Sequence, residues 1–127
     1  MGKLYLIQLD GRIYSCRFCH SHLANFDELV STAFHCRNGK AYLFNTVVNV
    51  SVGPQENRMM TTGLHTVADI YCNCCWRIVG WKYEAAFDKS QKYKEGKFIL
   101  ERAKMLDGDG SDFFLDAPAA GSDADDV

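Results

Sequence analysis

The chain has 127 residues, the length of one domain, with 47% hydrophobic and 24% charged side chains, the mixture of a globular protein. Its formal net charge of -2 argues against a histone-like polyanion binder. No stretch approaches the roughly 20 apolar residues of a membrane span, and the N-terminus turns polar too soon for a signal peptide, so a soluble, intracellular protein without a membrane partner is expected.

In chain order the reading is mostly β. Lys3–Leu9 alternates enough for a first strand, and Gly11 marks a turn before Ile13-Tyr14 leads into Cys16. Phe26–Thr32 reads as a connection holding at most a single helical turn. Asn38-Gly39 is a strong hairpin signal, and Ala41–Val50, rich in β-branched and aromatic residues, reads as one long or bent strand. Gly53–Asn57 reads as a loop. Arg58–Thr62 and Thr66–Tyr71 are strands separated by Gly63, and Arg77–Tyr83 is another. Lys89–Lys97 is a basic loop and Phe98–Leu100 a last apolar strand. Beyond Met105 the composition shifts to Gly, Asp, Ser, Ala and Pro, which buries too little to offset the entropy of ordering. The expected division is a folded domain over 1–106 and an acidic disordered tail over 107–127, with Phe113-Phe114-Leu115 an apolar triplet inside it. That tail holds seven Asp and no Lys or Arg, which leaves residues 1–106 with 14 basic and 9 acidic side chains.

Six cysteines stand at 16, 19, 36, 72, 74 and 75. Intracellular compartments keep thiols reduced, and the spacing points to a metal rather than to disulfides. Cys16-Arg-Phe-Cys19 and Cys72-Asn-Cys-Cys75 are both C-x-x-C pairs. Each can form a tight knuckle aiming two thiolates at one ion, and four sulfurs suit tetrahedral Zn²⁺. The 52 residues between the pairs exceed the roughly 15–20 of a finger-like site, so the metal is expected to clamp two distant hairpins. With Cys16, Cys19, Cys72 and Cys75 all ligating, no position stays open for water, and the zinc is structural rather than catalytic. The competing readings are reduced core cysteines and a redox dithiol. Cys74 competes with Cys75, but only Cys75 completes the knuckle spacing. Cys36 reads as a small buried residue, and His20 and His22 could each replace a sulfur without being needed.

At this point the motifs resemble the Yippee family. The resemblance rests on Cys16-x-x-Cys19, Gly39, Leu43, Asn49, Gly63, Cys72-x-x-Cys75 and Gly80-Trp81. It also rests on His22–Asn25, Ala41–Asn45, Val47–Val50, Thr62–Cys72, Gly80–Glu84 and Ser90–Ile99. It covers about residues 10–104, and the acidic extension looks like that of plant members. The resemblance implies a mainly β, single zinc-stapled domain of antiparallel sheets, a β-tent related to the cereblon thalidomide-binding domain. It also implies a non-enzymatic protein of nucleus and cytoplasm that binds protein partners in cell-division or ubiquitin-ligase assemblies. By comparison with the cereblon cage, Trp81, Tyr83 and His65 become candidates for a pocket taking a peptide or small ligand by stacking or cation–π contact. His65 stands where cereblon has a Trp, so imide binding is not implied. As a plainer alternative, Trp81 and Tyr83 lie two apart on one strand face, as packing alone would place them.

Two other functions compete. A nucleic-acid-binding zinc module would use Lys89–Lys97 with Tyr93, but Glu95 and the acidic tail oppose phosphate. An enzyme like methionine sulfoxide reductase B needs a late catalytic cysteine, and none follows Cys75. No nucleophile elbow or phosphate loop occurs, and no catalytic residue is assigned.

Overall fold

The computed structural model describes residues 6–108 and the backbone of Asp125–Asp126. Hydrogen-bonded strands gather into two sheets. The smaller is formed by β1 (Ile13–Cys16), β2 (His22–Asn25) and β9 (Met105–Gly108), in the order β2-β1-β9. The larger holds β3 (Leu29–Cys36), β4 (Gly39–Phe44), β5 (Val50–Met60), β6 (Gly63–Cys72), β7 (Ile78–Ala86), β8 (Phe98–Glu101) and the two-residue β10 (Asp125–Asp126). Its order is β10-β3-β4-β8-β7-β6-β5, and every pairing is antiparallel except β10 with β3.

Because successive strand residues point to opposite faces, the large sheet carries two cores. On β4, Leu43 faces one and Phe44 the other; on β8, Ile99 and Leu100 divide in the same way. The first core joins Tyr14, Leu23, Phe44, Ile70, Val79, Leu100 and Met105 to Cys16 and Cys72, and so welds the small sheet to the large one. The second holds Phe34, Leu43, Val67, Trp81, Tyr83 and Ile99. Strand β6 serves both. Its pairing with β7 shifts register between Thr66 and Val67, and its buried set passes from His65 and Val67 to Ala68, Ile70 and Cys72.

The Asn38-Gly39 hairpin joins β3 to β4, with Gly39 at φ 122°, a conformation that glycine adopts without steric cost. Gly80 answers a different need. A Cβ there would lie 1.8 Å from the Ile99 carbonyl oxygen, so β7 and β8 approach as they do only because residue 80 has no side chain.

Several elements depart from the expectation. Residues 6–10 form no strand; Ile7 and Leu9 are held by the side chains of Asn49 and His22 instead of by a ladder. The stretch 41–50 is broken: β4 ends at Phe44, and β5 begins at Val50 just after Asn49 takes the left-handed conformation at φ 61°. Gly53–Asn57 belongs to β5. A register shift between Val52 and Gln55 on this outermost strand absorbs Pro54, which cannot donate to a ladder. The basic loop contains a 3₁₀ turn, Lys89–Lys94. Strand order extends past residue 106, because β9 pairs along β1 and Asp107 binds Arg12 at 3.1 Å. The apolar triplet Phe113–Leu115, like most of the expected tail, lies outside the described residues.

Candidate metal centre

The two C-x-x-C segments fold alike. In the first, the Cys16 amide donates to the Ser21 carbonyl at 2.8 Å and the His20 amide to the Cys16 carbonyl at 2.8 Å. In the second, the Cys72 amide donates to the Arg77 carbonyl at 2.9 Å and the Trp76 amide to the Cys72 carbonyl at 2.8 Å. The residue after each closing cysteine, His20 or Trp76, has positive φ, 67° and 61°. Each knuckle thus reverses the chain within one turn and presents both of its thiols on one side.

The small sheet delivers Cys16 and Cys19, and the β6–β7 turn delivers Cys72 and Cys75. Their four Sγ atoms lie within 4.8 Å of one another. Across the knuckles, Cys16 Sγ is 3.7 Å from Cys75 Sγ and Cys19 Sγ is 3.5 Å from Cys72 Sγ. A zinc ion with Zn–S bonds of about 2.3 Å sets tetrahedral sulfur–sulfur edges of roughly 3.8 Å, so these residues fit the ion. All six cysteines are free thiols. Burial pushes the Cys16 and Cys72 thiols up. Burial acts the same way on Cys19, but hydrogen bonds from the Ser21 hydroxyl and amide, with Cys72 and Cys16, outweigh it and bring that thiol down to about 6. A divalent cation would supply the charge that lets all four ionise together.

The other candidate ligands stand apart. Cys74 is exposed, and its amide donates to Cys72 Sγ at 3.4 Å, which makes it a support of the cluster rather than a member. His22 Nδ1 accepts from the Leu9 amide at 2.9 Å, and neither His20 nor His22 belongs to the sulfur group. Cys36 is half-buried in the other core, its thiol raised by burial and by Glu101.

On the opposite face of the large sheet, the three pocket candidates come together. The rings of His65 and Tyr83 lie 5.3 Å apart, and those of Trp81 and Tyr83 lie 6.2 Å apart. All three are buried, and His65 Nδ1 is 2.9 Å from the Gly63 carbonyl oxygen. Sequence reasoning missed two residues beside them. Lys94 is only 1% exposed; its Nζ donates to Thr62 Oγ1 at 3.1 Å and lies 5.2 Å from the centroid of the Tyr83 ring. Nothing in a run of alternating Lys and polar residues marks one lysine as the buried one. Ser21 was likewise unmarked, since its role depends on a knuckle that brings residue i+5 back to the first cysteine.

An antiparallel β domain whose two distant C-x-x-C knuckles meet in one sulfur cluster defines the class. Its architecture is similar to the crystal structure of a Mis18 'Yippee-like' domain, with a TM-score of 0.62 and 14% identity, over 76% of this chain and 93% of that one. A family described as Yippee zinc-binding/DNA-binding/Mis18, centromere assembly, matches residues 12–108. The chain is 60% identical to a yippee-like protein of Solanum tuberosum across the full length of both, and 55% identical to one of Arabidopsis thaliana across 99% of each. It is 58% identical to yippee-like protein 3 of Danio rerio, over 87% of this chain and 95% of that one. The chain belongs to the Yippee family.

Proposed function

We propose that this protein is a structural-zinc interaction module, a non-enzymatic adaptor for protein partners in nuclear or cytoplasmic assemblies such as those of cell division or ubiquitin ligation. Cys16, Cys19, Cys72 and Cys75 hold the zinc, and His65, Trp81 and Tyr83 serve as its ligand site. One observation carries the reading: the sulfur cluster joins two hairpins and offers four thiols, which complete a tetrahedron and leave no position for a substrate or water. Such an ion fastens the fold rather than performing chemistry. The experiment is co-purification from cells with the zinc-loaded wild type and with a Tyr83→Phe, Trp81→Phe variant that keeps an aromatic ring at both positions and is first checked for folding and zinc content. Partners lost with that variant support recognition at the aromatic site; an unchanged set moves recognition to the outer surface. Turnover of a methionine sulfoxide substrate would overturn the non-enzymatic reading.

A second reading, nucleic-acid binding, is favoured by the exposed Phe18 and Trp76 beside the sulfur cluster, with Arg77 4.2 Å over the Phe18 ring. Exposed aromatics next to a guanidinium suit base stacking. The basic loop lends it less, since Lys94 is buried, Lys92 pairs with Glu95, and Lys97 Nζ donates to the Tyr93 carbonyl. Steeply salt-dependent retention on single-stranded DNA or RNA would support it, and no retention at low salt would end it.

A further inference from the structure

Each knuckle carries a large aromatic side chain that the domain does not bury. Phe18, between the first two cysteines, is 43% exposed, and Trp76, just after Cys75, is 54% exposed. Trp76 also holds φ 61°, a left-handed conformation that glycine adopts freely and that is sterically costly for a bulky side chain. With so much of its surface in water, Trp76 gains little from packing to offset that cost. Backbone strain kept at an exposed position is the mark of a functional constraint rather than a packing one.

The charges beside these rings are unmatched. The Arg77 guanidinium lies 4.2 Å over the Phe18 ring, so a residue of the second knuckle caps a residue of the first, and Trp76 is its neighbour in the chain. Stacking holds the planar guanidinium in one orientation and leaves its N–H edge for a bidentate acceptor. Arg17 donates to the carbonyls of Ala103 at 2.9 Å and Met105 at 3.4 Å, which fix its side chain without cancelling its charge. Among the described residues neither guanidinium meets a carboxylate, and residues 16–21 and 72–77 contain no Asp or Glu.

An occupant of this face brings negative charge together with an apolar group that can lie against Phe18 and Trp76. The number of cations decides its class. Single-stranded nucleic acid is held by a positively charged groove that tracks many phosphates, and each neutralised phosphate adds only about 0.7 to the salt slope. Two guanidiniums make a poor groove. A protein partner needs fewer contacts, because a handful of anchors, Trp and Arg foremost, carry most of the binding energy of an interface.

We propose that Phe18, Trp76 and Arg77, with Arg17 beside them, form a docking surface for a short acidic segment of a partner protein. An aromatic or aliphatic side chain of that segment packs on Trp76 and Phe18, and a carboxylate takes the open edge of Arg77. The proposal deepens the interaction-module reading and rests on it, but it sets recognition on the knuckle face, apart from His65, Trp81 and Tyr83. The sulfur cluster then does more than fasten the fold, since it brings the two halves of the docking surface together.

The test pans a displayed library of random short peptides against the zinc-loaded full-length chain and measures the enriched peptides by fluorescence polarisation. Three variants are compared, Trp76→Gly, Arg77→Gln and the double variant Trp81→Phe/Tyr83→Phe, each checked for zinc content. Trp76→Gly relieves the strained backbone, so its melting temperature should equal or exceed that of the wild type, and lost affinity is then not a lost fold. Expected are peptides with Asp and Glu around a Phe, Trp or Leu, weakened about tenfold or more by Trp76→Gly and by Arg77→Gln, and weakened likewise when their Asp and Glu become Asn and Gln. Acidic peptides that bind both knuckle variants as they bind the wild type overturn the proposal, as do enriched peptides without acidic residues. Binding lost in the Trp81/Tyr83 variant and kept by both knuckle variants overturns it while the interaction-module reading stands. An oligothymidylate that binds more tightly than any peptide, and is lost in the two knuckle variants, assigns the face to nucleic acid and overturns it too. A library that yields nothing overturns the docking surface; the interaction-module reading falls with it only if cells also yield no co-purifying partner.

Discussion

Cys16 Sγ lies 3.7 Å from Cys75 Sγ, although the two stand 59 positions apart in the chain. That contact and its counterpart, Cys19 with Cys72 at 3.5 Å, tie the small sheet to the β6–β7 hairpin of the large one. The sulfurs also sit in the core shared by Tyr14, Leu23 and Leu100, so an ion at this point and the surrounding apolar packing reinforce each other.

The adjacent cysteines Cys74 and Cys75 should behave very differently. Cys75→Ser removes a cluster member and is expected to abolish the cooperative unfolding transition, because a structural zinc contributes roughly 10–16 kcal/mol, as much as a domain's whole stability of about 5–15 kcal/mol. Cys74 is exposed, and only its amide touches the cluster, so Cys74→Ser should change stability by no more than about 0.5 kcal/mol. Thermal denaturation followed by circular dichroism, with zinc content in parallel, separates the two.

Gly80→Ala is expected to be among the most damaging single-methyl additions in this protein. Its Cβ would collide with the Ile99 carbonyl between two central strands, where neither backbone can retreat without breaking the β7–β8 ladder. A loss beyond about 4 kcal/mol is expected, the range reserved for severe core defects. Urea unfolding measures it; a loss below about 1 kcal/mol would show that the strands can separate freely.

Asn49 anchors residues 6–10, where the latter part of a first strand was expected and none forms. Its Oδ1 accepts from the Ile7 amide at 2.8 Å, and its Nδ2 donates to the carbonyls of Ile7 at 2.9 Å and His22 at 2.7 Å. Asn49→Ala leaves these groups unmatched and puts a less tolerant residue at φ 61°, at an expected cost of about 2–3 kcal/mol. Asn49→Gly relieves the backbone alone and should recover only part of that loss. Both variants should raise amide exchange at Ile7.

The carboxylates of Asp88 and Glu95 both lie below the ordinary range, Asp88 chiefly through the Ser90 amide and Glu95 chiefly through the Ala86 amide. A carboxyl group depressed in the folded state contributes stability that is fully present above its unfolded pKa and is lost as pH falls through the folded one. Acid unfolding of Glu95→Gln should therefore start from a lower stability at neutral pH and show a shallower decline below about pH 4.5. Identical slopes for variant and wild type would contradict the assignment.

Much of this molecule was legible in its sequence, for local reasons. The gathering of four sulfurs was readable because two C-x-x-C turns specify their own geometry, and the Asn38-Gly39 hairpin because its turn residues do. The strands of β6, β7 and β8 followed from their apolar pattern. What escaped depended on partners distant in sequence. Asn49 captures the Ile7 amide from 42 positions away, where a ladder partner was expected; Pro54 sits in a strand because β5 is outermost and bulged. Lys94 is buried beside the rings of Phe34 and Tyr83 and the Thr62 hydroxyl, which other strands and turns bring to it. Asp107 looked like the start of the tail until Arg12, 95 residues earlier, placed it in a sheet.

The central claim, that a zinc ion on Cys16, Cys19, Cys72 and Cys75 holds the domain together, is tested most directly by metal analysis of the purified full-length protein combined with chelation. One zinc per chain is expected, with loss of the near-ultraviolet signal of the packed core when a strong chelator removes it and recovery when zinc is restored. A protein that stays folded and fully protected from hydrogen exchange at β1 and β6 after complete removal of the metal would contradict it.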